Sequence, residues 1–127
     1  MAWCFDDEAN EQSDQALVLL KNGKAVVPAI WPLEVLNVLH VSERKKRISV
    51  SQSNTFISLL NALPIEIDMS LHDSLNKTIL EISRQYSISA YDAAYLELAK
   101  RRTIPLFSFD KILIETAKKF DVEINPL

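Results

Sequence analysis

The feature that most constrains this 127-residue chain is the alternation of short strand-like runs with longer helix-like segments. Strand composition or alternation marks four runs: Ala25–Ile30, Ile65–Asp68, Pro105–Phe109 and Val122–Ile124. Helical patterns mark six segments: Asp6–Gly23, Leu33–Arg47, Ser51–Leu63, Leu71–Tyr86, Ser89–Arg101 and Lys111–Phe120. This order predicts a three-layer α/β/α fold with a mostly parallel central sheet. The length suits one domain over residues 1–127.

Several local signals sharpen this prediction. Pro28 lacks a backbone N–H, so it indicates either an edge position or the end of its strand. Ser51 or Ser53 is expected to cap the helix that they begin. Asn22-Gly23 is interpreted as the stop signal of the first helix.

Composition excludes several classes of function. The single glycine, Gly23, leaves no way to write a phosphate-binding loop or a dinucleotide-binding fingerprint. His40 and His72 lie in no triad or zinc-helix pattern, so carboxylate chemistry is favoured over nucleophile-and-histidine chemistry. The lone Cys4 cannot form an internal disulfide, and a reducing cytosol is the simplest inference. No apolar run approaches the roughly 20 residues that span a bilayer.

Three acidic residues lie within or beside apolar segments, where an acid is costly unless it is paired or bound to a cation. Glu34 interrupts the apolar run around Trp31–Leu36, Asp92 lies near the start of a helix, and Asp110 follows a strand. Ligands of parallel α/β sheets bind beyond the carboxyl ends of the strands. We therefore expect these three acids to share one pocket for a hard divalent metal.

Each acid also has a purely structural interpretation. Ser89 and Asp92 have the spacing of a capping box, and Asp110 has the position of a helix N-cap. Glu34 is harder to explain as a helix-end acid, and Asn37 shares its face of the helix. Ser108, two residues before Asp110, is interpreted either as orienting a metal-bound water or carboxylate, or as an ordinary turn serine.

Two runs of basic residues leave the choice of partner open. The net charge of -3 argues weakly against nucleic acid. However, Arg44–Arg47 is four consecutive bases, and Lys100–Arg102 adds three more. They are either solvated helix ends, where bases suit the dipole, or contacts to phosphates.

Three segments together resemble a known family, the PIN domains. Ser89–Ala99, with Asp92 at its centre, resembles the central motif of these domains, and Pro105–Lys111 resembles their Ser/Thr-x-Asp-Lys motif. Pro32–Asn37 resembles the segment that carries their second acid, Glu34 here. The similarity extends over nearly the whole chain and is strongest to the toxins of VapBC-type toxin–antitoxin modules.

The resemblance implies a Mg²⁺- or Mn²⁺-dependent endoribonuclease that is often dimeric and is inhibited by a cognate antitoxin protein. It assigns metal-ligand roles to Glu34, Asp92 and Asp110, and a supporting hydroxyl role to Ser108. By the same resemblance, the tail of the antitoxin would cover the acidic pocket. We expect a homodimer or higher oligomer in the cytoplasm.

The resemblance has one gap, at the first strand of the family and its aspartate. Ala2–Phe5 is similar to the helical turn that follows that aspartate, so the strand and its acid are expected to be missing. Loss of a central strand leaves backbone groups unpaired, at roughly 1–3 kcal/mol for each buried group. We expect rearrangement, strand exchange or oligomerisation to close the gap, or else a weakened domain with low or no activity.

Two functions from different classes therefore remain. The first is the metal-dependent ribonuclease toxin. The second is a catalytically inactive PIN-like module that binds an antitoxin or pairs with itself. A receiver-type phospho-acceptor domain shares acids at strand ends, but the paired helices of this chain do not fit it.

Overall fold

The computed structural model describes residues 18–21, 24–70, 73–108 and 110–124. Its four strands are β1 (Val18–Lys21), β2 (Lys24–Pro28), β3 (Ile65–Asp68) and β4 (Leu106–Phe107). The helices in these ranges are α1 (Trp31–Arg44), α2 (Val50–Ala62), α3 (Asp73–Tyr86), α4 (Ala90–Arg102) and α5 (Lys111–Lys119). Elements alternate as the sequence predicts, and the α/β class is confirmed.

The strands form one sheet in the order β3-β2-β1-β4. β2 and β3 pair in parallel, whereas β1 pairs antiparallel with both β2 and β4. β4 therefore runs in the same direction as β2 and β3, and Ile124 adds a parallel bridge beside it. Three of the four described strands therefore run in the same direction, and β1, between β2 and β4, runs against them.

The placement of β1 corrects one prediction. The helix expected over Asp6–Gly23 is wrong at Val18–Lys21, which is a strand, and the rest of that segment lies outside the described residues. Lys21 pairs with Lys24 across a two-residue connection, and Asn-Gly is the sequence most typical of such a hairpin. A short apolar run is compatible with a buried strand and with a buried helix, so its periodicity alone does not distinguish the two.

Two further local predictions are resolved by the sheet and by the caps. Pro28 is the last residue of β2, which lies between β1 and β3, so the strand-end interpretation is correct and the edge interpretation is not. The cap of α2 is Ser49 rather than Ser51 or Ser53. Ser49 and Gln52 form a reciprocal capping box. Ser51 and Ser53 lie inside the helix instead.

The core lies where α1 and α4 cover the sheet. It contains Val26 and Val27 of β2 and Leu106 of β4, all fully buried. Helix α4 contributes an almost continuous buried stretch, and it also packs against α3. The side chains that it buries are Ala93, Tyr95, Leu96, Glu97, Leu98 and Ala99. Helix α4 therefore holds its first-turn residues in a fixed position relative to the sheet.

A network of charges around two buried acids, Asp68 and Glu97, joins β3 to α4. Asp68, the last residue of β3, accepts hydrogen bonds from Arg101 and Arg102, and its side chain is only 3% exposed. Arg101 also bonds Glu97 at 2.8 Å, and Arg102 pairs with Glu66 at 2.7 Å. These bonds fix the end of β3 against the last turns of α4.

Asp68 should make the stability of the domain sensitive to acid. Burial alone would raise the pKa of Asp68, but the bonds from Arg101 and the Ser70 N–H and the two guanidinium charges outweigh it, so the pKa is lowered. A lowered pKa adds stability above the ordinary value, about 4, and that stability is lost as the pH falls through the folded-state value.

Unfolding in urea at pH 7 and at pH 3 should therefore show a smaller loss of stability in Asp68→Asn than in the wild type. Glu81→Gln, an exposed acid-to-amide change on α3, is the matched control and should behave like the wild type. Equal acid sensitivity in all three proteins would contradict this role for Asp68.

Candidate metal and nucleic-acid site

The centre of the candidate site is a hydrogen bond between two distant helices. The Tyr95 hydroxyl, on α4, donates to Glu34 Oε1, on α1, at 2.5 Å. Tyr95 is fully buried and Glu34 is partly exposed. Glu34 is thus partly exposed to solvent, while one oxygen of its carboxylate accepts a hydrogen bond from a buried donor.

Local structure explains the position of Glu34. Helix α1 begins after Ile30 with Pro32 in its first turn, a residue whose fixed φ suits that place. Glu34 also lies in the first turn, where the helix dipole favours a negative charge. The exposed Asn37 follows one turn later. Trp31 and Val35 are buried and anchor this end of the helix.

Asp92 lies in the first turn of α4, three residues before Tyr95. Its backbone N–H donates to Ser89 Oγ at 3.0 Å, so Ser89 caps α4 as the sequence predicts. Its carboxylate is close enough to affect Tyr95. Burial raises the pKa of the Tyr95 hydroxyl above its ordinary range, and the charge and hydrogen bond of Glu34 and the charge of Asp92 raise it further. The Tyr95 phenol therefore stays protonated and remains a hydrogen-bond donor to Glu34.

Asp110 and Ser108 form a local arrangement at the start of α5. Asp110 Oδ1 accepts from the N–H groups of Ile112 at 2.9 Å and of Leu113 at 3.4 Å. Ser108 Oγ accepts from the Asp110 N–H at 3.0 Å. The N-cap interpretation of Asp110 is confirmed. Both cap bonds use Oδ1, which leaves Oδ2 outside the cap.

The structure shows Glu34 bound to Tyr95 and Asp110 capping α5, and it links Asp92 to Tyr95 through the effect of its charge. Across the described ranges, no group of three or more His, Cys, Asp or Glu side chains lies close enough to hold a metal ion. Glu34 and Asp92 are both partly exposed carboxylates, and carboxylate oxygens are ligands that hard cations prefer. One or two carboxylates completed by waters commonly hold Mg²⁺, so the chemistry of these side chains fits a divalent cation.

The comparison with protein families gives this arrangement a context. The sequence model of the PIN domain family matches residues 1–119, which is most of the chain. The chain belongs to the PIN domain family. No curated protein and no solved structure was found to match it. PIN domains are generally divalent-metal-dependent nucleases, so a nuclease-type function is indicated for this member.

The two basic runs of this PIN domain differ in the contacts of their side chains. Lys100 donates to the carbonyl of Phe120 at the end of α5, and its ammonium lies 5.3 Å from the centre of the Phe120 ring. Arg101 and Arg102 bind the buried acids of the β3 network. All three side chains of Lys100–Arg102 therefore have partners within the protein, although Lys100 and Arg101 are also exposed to solvent. In contrast, Arg44–Lys46 are exposed at the end of α1.

Tyr95 is the site residue that the sequence interpretation missed. It lies three residues after Asp92, one helical turn away, inside a stretch of helix that is otherwise apolar. A buried tyrosine hydroxyl usually finds a hydrogen-bond partner, so a tyrosine in this apolar stretch indicates that a polar group lies nearby. Its partner is 61 residues away in the chain.

In the part of the chain that the structure describes, every helix is too short or too polar to cross a bilayer.

Proposed function

We propose that this PIN domain is a metal-dependent endoribonuclease and the toxin component of a toxin–antitoxin module. The observation that carries the proposal is the hydrogen bond that ties Glu34 to the buried Tyr95, on the helix whose first turn carries Asp92, in a chain of this family. The proposed partners are an RNA substrate, a cognate antitoxin protein and a second copy of the chain. The proposed compartment is the cytoplasm, and the proposed unit is one PIN-like domain.

Glu34, Asp92 and Asp110 are the proposed ligands of Mg²⁺ or Mn²⁺. A bound divalent ion supplies an activated water and neutralises charge on the phosphodiester. Glu34 and Asp92 contribute oxygen atoms from two helices, and Asp110 contributes Oδ2 while Oδ1 continues to cap α5. Ser108 supports Asp110 by accepting its backbone N–H, which fixes the turn that presents the carboxylate.

The exposed bases at the end of α1 supply a second element of RNA binding. Glu34 and Arg44 are ten residues apart on one helix, or about 15 Å along its axis at 1.5 Å per residue. A strand of RNA that lies along α1 can therefore meet the acids at one end and Arg44, Lys45 and Lys46 at the other. These bases would offset the repulsion between phosphates and a chain of net charge -3.

The alternative is a catalytically inactive PIN-like module that binds an antitoxin or itself. It is favoured by the cap role of Asp110 and by the lack of a three-acid cluster among the described residues. Incubating the purified chain with a structured RNA and Mn²⁺ separates the two proposals. Cleavage that disappears with chelator supports the nuclease. No cleavage, together with no Mn²⁺-dependent thermal shift, supports the binding module.

Tyr95 is a positioning residue for Glu34 in this scheme, and Tyr95→Phe tests it. Loss of the hydroxyl removes the donor that orients Glu34, and outer-shell changes of this kind typically cost about 10- to 100-fold in metal affinity or activity. We expect the Mn²⁺ dissociation constant to rise by that factor, with cleavage partly restored at saturating Mn²⁺.

The matched control is Tyr86→Phe, which removes a hydroxyl from α3 while its ring still packs edge-on against Phe120. It should leave both Mn²⁺ affinity and cleavage unchanged. If Tyr95→Phe binds Mn²⁺ as tightly as the wild type, Tyr95 stabilises the fold without positioning the ligand.

A further inference from the structure

An exposed aromatic ring lies beside the acids and has no use in the fold. Tyr91, in the first turn of α4, is 59% exposed, and Leu33, in the first turn of α1, is 61% exposed. Both line one open cavity of about 290 Å³ together with Ile30, Glu34 and Asn37. Two exposed apolar side chains from different helices therefore flank the carboxylate of Glu34.

The other described tyrosines are held by the protein itself. Tyr95 is fully buried against Glu34, and Tyr86 packs against Phe120. Among the described residues, Tyr91 forms no hydrogen bond and no ring contact. A large apolar surface left open beside polar groups is typical of a binding site. Tyr91 also directly precedes Asp92, so anything that contacts its ring lies close to the proposed metal ligands.

We infer that Tyr91 and Leu33 form a stacking subsite for one unpaired nucleobase of the RNA, beside the phosphodiester on which Glu34 and Asp92 act. The inference rests on the proposed nuclease function and adds to it a contact for one base. Bases stack on aromatic side chains with little dependence on sequence, because every base has a π-face. Leu33 provides a second apolar surface in the cavity, and a bound base would displace water from it.

The size and polarity of the cavity select a single-stranded substrate. A volume of about 290 Å³ is near the lower end of small-molecule pockets and suits one base with its sugar. A base inside a duplex is stacked between its neighbours and cannot lie on the Tyr91 ring. Asn37 offers both a donor and an acceptor to the exposed edge of the base. The subsite therefore accepts an unpaired nucleotide.

Binding measurements test the subsite separately from catalysis. The affinity for a fluorescent 12-nucleotide oligouridine is measured by anisotropy in Ca²⁺ in place of Mn²⁺, with the strand alone and annealed to its complement. Tyr91→Ala should weaken single-strand binding by roughly 5- to 100-fold. Tyr91→Phe, which keeps the ring, should bind like the wild type. Leu59→Ala, which removes an equally exposed apolar side chain on α2, is the control.

Three results would overturn the subsite: unchanged binding in Tyr91→Ala, equal weakening for single strand and duplex, or no binding of the oligonucleotide by the wild type. An abasic nucleotide at the contacted position should weaken wild-type binding and have no further effect in Tyr91→Ala. If this pattern holds but Mn²⁺ produces no cleavage, the ribonuclease proposal fails and the subsite stands. If cleavage occurs and Tyr91→Ala binds normally, the subsite alone fails.

Discussion

Asp92→Asn and Glu34→Gln should each lower Mn²⁺-dependent RNA cleavage by at least about 100-fold. Metal-ion stabilisation of charge in the transition state amounts to several kcal/mol, and each 1.36 kcal/mol is a factor of ten in rate. Both substitutions keep the size of the side chain and remove a charged oxygen donor. Initial cleavage rates of a single-stranded RNA at several Mn²⁺ concentrations measure the effect.

The control for these substitutions is Glu43→Gln, which removes an acid from the same helix as Glu34 but nine residues away. It should cleave RNA at the wild-type rate. Retention of more than half of the wild-type rate in both Asp92→Asn and Glu34→Gln would contradict the proposed site.

Asp110→Asn separates the two roles of Asp110. Asparagine is as good an N-cap as aspartate, so α5 should keep its cap and the thermal midpoint should change little. If Oδ2 is a metal ligand, cleavage still falls by about the same factor as in Asp92→Asn. If Asp110 only caps α5, both stability and cleavage stay at the wild-type level, and the ligand set is reduced to Glu34 and Asp92.

The largest effect on stability should come from Arg101→Met. Arg101 binds Asp68 and Glu97, whose side chains are only 3% and 7% exposed. Removal of one partner from a buried ion pair typically costs about 3–5 kcal/mol, because the remaining charge is left uncompensated. Arg102 still pairs with Asp68, so we expect the lower value, about 3 kcal/mol. For 127 residues this lowers Tm by roughly 10 °C.

Calorimetry or thermal circular dichroism at pH 7 measures this shift. Arg84→Met, an exposed change near the end of α3, is the matched control and should stay within about 0.5 kcal/mol of the wild type. A shift in Arg101→Met no larger than in this control would show that the β3 network is not a determinant of stability.

The sequence predicts helices α1 to α5 and strand β3 well because their signals are local. β3 was predicted with its observed bounds, Ile65–Asp68, since alternation and a following turn mark it clearly. The caps at Ser89 and Asp110 follow from side-chain chemistry within three residues. Such signals need no knowledge of the rest of the fold.

The remaining features depend on partners that are distant in the chain. Whether Val18–Lys21 is a strand is decided by β2 and β4 on either side of it, and no local pattern reports this. The Arg101 and Arg102 side chains were interpreted as surface bases because their partner, Asp68, lies more than 30 residues away. The same holds for Tyr95 and Glu34, whose contact depends on how α1 and α4 pack.

The most direct test of the central claim is a crystal structure of the chain with Mn²⁺, read from anomalous scattering. We predict a peak bound by the carboxylate oxygens of Glu34 and Asp92, within the roughly 2.0–2.6 Å that hard divalent cations keep from oxygen ligands. We also predict that the Tyr95 hydroxyl still donates to Glu34. A well-ordered site without a peak, or Mn²⁺ bound elsewhere, would contradict the claim.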